Sequence, residues 1–101
     1  MVENVDVEVS GRKNTCSLTN VPVVESDYSI ISRKVVDQIG PFEVRKMIAP
    51  WTSITVDVAK VDIEIQNKKE RFWVVILDGL DTFVGTGTLA ELGIQNPKKQ
   101  T

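Results

Sequence analysis

A chain of 101 residues with a formal net charge of −2 is long enough to bury one modest core and too short for two domains that each bury their own. Hydrophobic residues make up 42% and charged residues 26%, and lysine and arginine are scattered among acids apart from the Lys98-Lys99 pair, so no basic stripe is available for a nucleic-acid backbone. The absence of histidine removes Ser-His, Cys-His and His-metal mechanisms, and a single cysteine, Cys16, excludes an internal disulfide and makes a thiolate metal cluster impossible without other ligands.

Any chemistry must therefore run on carboxylates, lysines, hydroxyls or backbone amides, with no metal and no cofactor expected. The longest apolar run, Phe72 to Leu77, is far short of the ~20 residues that span a bilayer. The N-terminus opens on acids and alternation rather than a basic stretch before an apolar one, so no secretory signal or membrane contact is expected and a cytoplasmic location follows.

Val5 to Val9 alternates strictly, with valines on one face and Asp6 and Glu8 on the other, the period of a half-buried strand. Ser10-Gly11-Arg12-Lys13-Asn14 is turn chemistry, and Thr15 to Leu18 returns as a partner strand. Thr19-Asn20-Val21-Pro22 is then expected to interrupt pairing, because proline removes a donor. Tyr28 to Ile31 reads as a short buried strand. Ser32 fits an N-cap, and Val35, Val36 and Ile39 fall at helical spacing before Gly40 and Pro41 stop the helix. Phe42 to Ile48 and Ile54 to Val58 are two further strands, with Ala49-Pro50-Trp51-Thr52-Ser53 as a hairpin tip. Val61 to Ile65 and Glu70 to Leu77 form another hairpin around Gln66-Asn67-Lys68-Lys69. Asp78-Gly79-Leu80-Asp81 is a loop, Phe83-Val84 a short strand, and Thr88 to Leu92 a short helix ended by Gly93.

These elements repeat. Val5-Asp6-Val7-Glu8-Val9 followed by a polar turn and Arg12-Lys13 returns as Val61-Asp62-Ile63-Glu64-Ile65 followed by Gln66-Asn67 and Lys68-Lys69. The stretch from Ile30 to Gly40 likewise lines up with that from Phe83 to Gly93. Two half-domains of one plan, about 1–48 and 54–95, thus share one core in a single domain of residues 1–95, followed by a flexible polar tail at 96–101.

In order and spacing the chain resembles the retropepsin-like (retroviral-type) aspartic peptidases. The resemblance rests on Lys46-Met47-Ile48 before a hairpin tip, Ile54-Thr55-Val56, Ile63-Glu64-Ile65 before a polar turn, and Phe83-Val84-Gly85 followed by Leu89 and Leu92-Gly93. It implies an all-β acid-protease barrel with pseudo-twofold repeated halves and one or two short helices. Family members carry Asp-Thr-Gly-Ala a few residues ahead of the first helix. Matching the apolar pair that follows to Ile30-Ile31 puts Val23, Val24, Glu25 and Ser26 at those four positions, and no Asp-Thr-Gly triplet occurs anywhere in the chain.

An aspartic mechanism needs two carboxylates close enough to share a proton. The expected outcome is therefore a catalytically degenerate domain acting as a peptide-binding or dimerisation module, and the alternative is an aspartic-type endopeptidase using Glu25 or Asp27. Those two are either a relocated pair or a solvated loop, and Asp78-Gly79-Leu80-Asp81 is either their counterpart in the second half or a plain turn. The resemblance makes Met47, Ile48, Pro50 and Trp51 a flap over a groove, here without the family's tip glycines. Trp51 either anchors a partner or folds onto its own hairpin. A homodimer that binds an extended peptide or protein segment is implied, since single-domain members build their groove between two subunits. Gly85-Thr86-Gly87-Thr88 lacks the Gly-Lys-Ser/Thr ending of a phosphate loop and is read as structural. Trp73 is expected in the core or an interface, and Cys16 as a small buried hydrophobe.

Overall fold

Alternation in the first strand sets which face the rest of the chain must cover. In the computed structural model, which describes residues 4–49, 53–79 and 81–94, β1 (Asn4–Ser10) buries Val5, Val7 and Val9 and exposes Asn4, Asp6 and Glu8. β2 (Thr15–Val24) returns antiparallel to it. A Cβ on Gly11 would collide with the Ile39 carbonyl and the Phe42 ring, so only glycine lets this hairpin tip close on the end of α1 (Arg33–Ile39). There Lys13 N–H donates to Ile39 O at 3.1 Å and Asn14 Nδ2 to Gln38 O at 3.3 Å, satisfying carbonyls the helix leaves over.

Pro22 does not interrupt this pairing, contrary to the expectation from sequence. β2 continues to Val24, with Pro22 opposite Asn4. The irregularity falls earlier, where Thr19 and Asn20 together oppose Asp6. Asn20 adopts φ 53° and its N–H is accepted by Asp6 Oδ1 at 3.1 Å, so the bulge leaves that donor satisfied.

After β3 (Ile30–Ser32) and α1, residues 41–44 run without strand pairing, and β4 starts only at Arg45 (Arg45–Ile48). The predicted strand from Phe42 is shorter because Phe42 turns in to pack against the core. β5 (Thr55–Ile65) pairs with β4 at its start, with β6 (Lys68–Leu77) along most of its length, and with β1 near its end. The β5–β6 turn is tighter than predicted. Gln66 and Asn67, at φ 53° and 65°, make the whole loop, and Lys68 and Lys69 already belong to β6. β7 (Val84–Gly85) and α2 (Thr86–Glu91) complete the chain order, and Ile94 N–H donating to Leu89 O at 2.9 Å past Gly93 (φ 74°) closes α2.

The two halves exchange their short strands. β6 of the second half runs parallel to β3 of the first, and β2 of the first runs parallel to β7 of the second. Ile30 and Phe83, matched positions of the repeat, face each other in an antiparallel bridge with N–H···O distances of 2.9 and 2.8 Å, so the pseudo-twofold axis passes between them. That bridge joins the outer strands of the order β3-β6-β5-β1-β2-β7, giving a nearly closed all-β barrel with two short helices. The symmetry is broken at Pro22. Its counterpart Val75 donates its N–H to Ser29 O at 3.0 Å, and proline has no hydrogen to give, so the β2–β7 ladder is one pair shorter than β3–β6.

The core lies in two clusters on opposite faces of the β5–β6 sheet. The larger includes Val9, Ile31, Ile39, Ile63, Val74, Ile76 and Leu89. The smaller holds Ala49, Val56, Val58 and Val75, with Tyr28, Ile30, Met47 and Leu77 partly buried around them. Each fully buried valine or isoleucine is worth roughly 1.5–3 kcal/mol relative to exposure, which is why a sheet this small is covered on both sides.

Candidate functional site

The segment on which an aspartic mechanism would depend begins at the end of β2. Val23 and Val24 are its last two residues, half-buried and in register with Val84 and Gly85, and Val23 packs on the larger core. Glu25 and Asp27 follow in the loop and are exposed, whereas Ser26 and Tyr28 are half-buried.

This loop is held against the start of α2. Ser26 Oγ accepts from Tyr28 N–H at 3.1 Å, and Ser26 O accepts from Gly87 N–H at 2.9 Å, which serves in place of a side-chain N-cap on α2. A Cβ on Gly85 would stand 2.5 Å from Tyr28 O and 2.6 Å from Ser26 O, and one on Gly87 would stand 2.8 Å from Asp27 Cα. Gly85 and Gly87 thus admit the protein's own backbone, as the structural reading of Gly85-Thr86-Gly87-Thr88 expects.

Beneath the loop lies a pair of buried hydroxyls that sequence reasoning missed. Ser29 Oγ, 1% exposed, accepts from Gly85 N–H at 3.0 Å and shares a hydrogen with Thr88 Oγ1 at 2.7 Å. Across the pseudo-twofold axis Thr82 Oγ1 accepts from Ser32 N–H at 3.2 Å, the same arrangement with the halves reversed. Ser29 and Thr82 directly precede the matched residues Ile30 and Phe83, so the repeat contained the signal.

A second group joins three elements. Arg33, the first residue of α1, donates from Nε to Asp78 Oδ1 at 2.7 Å and from Nη2 to Asp57 Oδ2 at 2.8 Å. Lys46 of β4 donates to the other oxygen of Asp57. Hydrogen bonds from Lys46 and then Arg33 hold the Asp57 carboxyl below its ordinary range, and the bonds to Asp57 and Asp78 raise Arg33 above its own. Asp78, the possible counterpart of Glu25, is therefore bound by an arginine from the first half.

Of the predicted flap residues, Met47 turns inward to the smaller cluster and Ile48 is 68% exposed, while Pro50 and Trp51 lie outside the described residues, as does the 96–101 tail. Ile54, at the other side of the hairpin, is 66% exposed. Cys16 is half-buried, with Sγ 3.5 Å from Gln38 Oε1. Among the described residues no group of three or more His, Cys, Asp or Glu could hold a metal ion, and no helix is long and apolar enough to cross a membrane.

No protein-family model matches the sequence, and no curated protein matches it either. Solved structures do. EIAV protease complexed with the inhibitor HBY-793 is similar with a TM-score of 0.66 over 92% of this chain and 89% of that one, at 17% sequence identity. Identity at that level speaks for the fold alone. With repeated halves, exchanged short strands and a nearly closed barrel already traced, the chain has the fold of a retroviral protease.

Proposed function

We propose that the chain is a catalytically degenerate retropepsin-like domain that binds an extended peptide or protein segment, in a groove completed by a second copy. The observation that carries this reading is the pair Val23–Val24 at the end of β2, where the family resemblance calls for the aspartate and threonine of the motif. Valine can neither take a proton from water nor return one to a leaving amine, and an aspartic mechanism needs both acts from two adjoining carboxylates. The nearby acids support the same conclusion. Glu25 and Asp27 are exposed, Asp78 accepts from Arg33, and Asp57 is held ionised by two cations.

Binding is supported by the surfaces that remain. Among the described residues β4 pairs with β5 alone, so its other edge offers backbone groups to an extended chain. Tyr28, Met47 and Leu77 are half-buried apolar side chains around the smaller cluster, suited to form pockets for alternate residues of such a chain. Ile48 and Ile54, exposed on the flap hairpin, are apolar surface that a second copy would cover.

The test is cleavage of a broad peptide library from acidic to neutral pH, with Glu25→Ala and Asp27→Asn alongside, and sedimentation of the same samples. Folded dimers that capture peptides without cutting them are the expected outcome. Cleavage with an acid-shifted profile, abolished by either substitution, would instead make the chain an aspartic-type endopeptidase with a displaced carboxylate.

A further inference from the structure

Trp73 lies in an apolar strand yet is 38% exposed, on the same face of β6 as the buried Val75. Two cations stand over its ring. Arg45 of β4 stands 5.3 Å from the ring centroid, and Lys60, directly opposite on β5, stands 5.6 Å away. Trp73 lines a hollow of about 700 Å³, a volume typical of ligand sites, together with Phe42.

The charge around this hollow is opposite to that of the molecule. Arg12, Arg45, Lys60 and Arg71 line it against Glu43 and Asp62, an excess of cations on a chain whose net charge is −2. Asp62 is taken by Arg71 at 3.0 Å, and Glu43 reaches Arg45 only at 3.7 Å with both groups well exposed. Among the described residues no carboxylate lies within ion-pair distance of Arg12, in the β1–β2 turn, or of Lys60, on β5, and both line the space. Cations gathered in one concave surface reinforce one another's attraction for an anion.

We infer that this hollow is a second binding site, distinct from the proposed groove, for an acidic peptide segment of a partner protein. Its carboxylates would meet Lys60 and Arg12, and an apolar side chain between them would rest on Trp73 and Phe42. The carboxylates of Glu43 and Asp62 on the wall favour spaced acidic side chains over a continuous phosphate backbone, whose evenly repeated charge would run against them. The charged heads of Arg45 and Lys60, already held over the ring, would keep cations beside any apolar side chain that packs there.

The experiment is a titration of isotope-labelled protein with acetyl-Glu-Glu-Phe-Asp-Glu-amide, following backbone amides and the indole N–H of Trp73 by NMR. The Gln/Asn version of that peptide and a short oligothymidylate are run in parallel. Saturable shifts at residues 10–12, 42–45, 60 and 73 are expected, weakened by salt and by roughly fivefold to tenfold in each of Lys60→Glu and Arg12→Glu, exposed substitutions whose amide spectra check the fold. Equal binding of the neutral peptide, tighter binding of the oligothymidylate, undiminished binding by both variants, no saturable shift, or shifts confined to residues 23–28 and 45–48 would each overturn the assignment. The last result would mean that the peptide occupies the proposed groove, so the two readings fail separately.

Discussion

Replacing Ser29 with alanine removes one hydroxyl and orphans two groups. Gly85 N–H loses its acceptor at 3.0 Å and the Thr88 hydroxyl its partner at 2.7 Å, both in a place from which water is excluded. A buried polar group left unpaired costs ~1–3 kcal/mol. Thr88 stands in the first turn of α2, where its hydroxyl can turn back toward the carbonyls of Val84 and Gly85, which places its share at the low end. The sum is about 2–4 kcal/mol, a large part of the ~5–15 kcal/mol that holds a domain together. At about 4–8 °C per kcal/mol for a chain of this size, the melting temperature should fall by roughly 8–32 °C. Urea unfolding followed by circular dichroism measures the loss directly, and a double-mutant cycle with Thr88→Val separates the pair from its surroundings. Because the double variant removes both hydroxyls, it should cost less than the two single changes added together. A loss below about 0.5 kcal/mol, the usual range for an inconsequential surface change, or strict additivity in the cycle, would refute the reasoning.

Asp57 gives a prediction in pH. Its carboxyl is depressed from 3.8 by Lys46 and Arg33, so the stability it contributes is present above that value and is lost as acid carries the pH down through the lower folded-state value. Asp57→Asn should therefore cost about 1 kcal/mol at neutral pH, after allowance for the solvent that screens its cations, and the difference from the parent should vanish in strong acid. A deficit that stays constant down to the acid transition would show that charge is not its origin. Gln66→Asn addresses the left-handed turn between β5 and β6, where Asn tolerates φ 53° better than Gln. A gain of about 0.5 kcal/mol in thermal melts is expected, and a lower melting temperature would count against the turn geometry.

What could be read from the sequence was whatever is local or repeated. The valines of β1 and the Ser32 cap with Val35, Val36 and Ile39 behind it stand where their spacing put them, since each signal is contained within one element. Pro22 was misread because its cost depends on which neighbour its nitrogen faces. Toward β7 it shortens a ladder by one pair, and toward β1 it costs nothing. Trp73 was expected in the core or an interface because it belongs to a run of six apolar residues, Phe72 to Leu77, yet it is 38% exposed, while the smaller cluster gathers around Val75 and Leu77 further along that run. The ion pairs of Arg33 were invisible for another reason. Asp57 and Asp78 lie 24 and 45 residues away, and nothing about a lone arginine at a helix start says which acids the barrel will bring to it.

The exchange of short strands across the Ile30–Phe83 bridge also governs how the molecule comes together. The polar links that close it join residues 50, 56 and 59 positions apart, so neither half can satisfy its own Ser29, Ser32, Thr82 or Gly85 until the other has been synthesised and folded. Folding that depends on such non-local pairing is slow, in the range of about milliseconds to seconds, because few native contacts reward the chain before the loops are closed. Since the bond that completes a half comes from its counterpart, an identical half on another chain presents the same donors and acceptors. The symmetry that lets one chain fold thus also lets two chains entangle, and the concentration at which the protein is refolded should decide which happens.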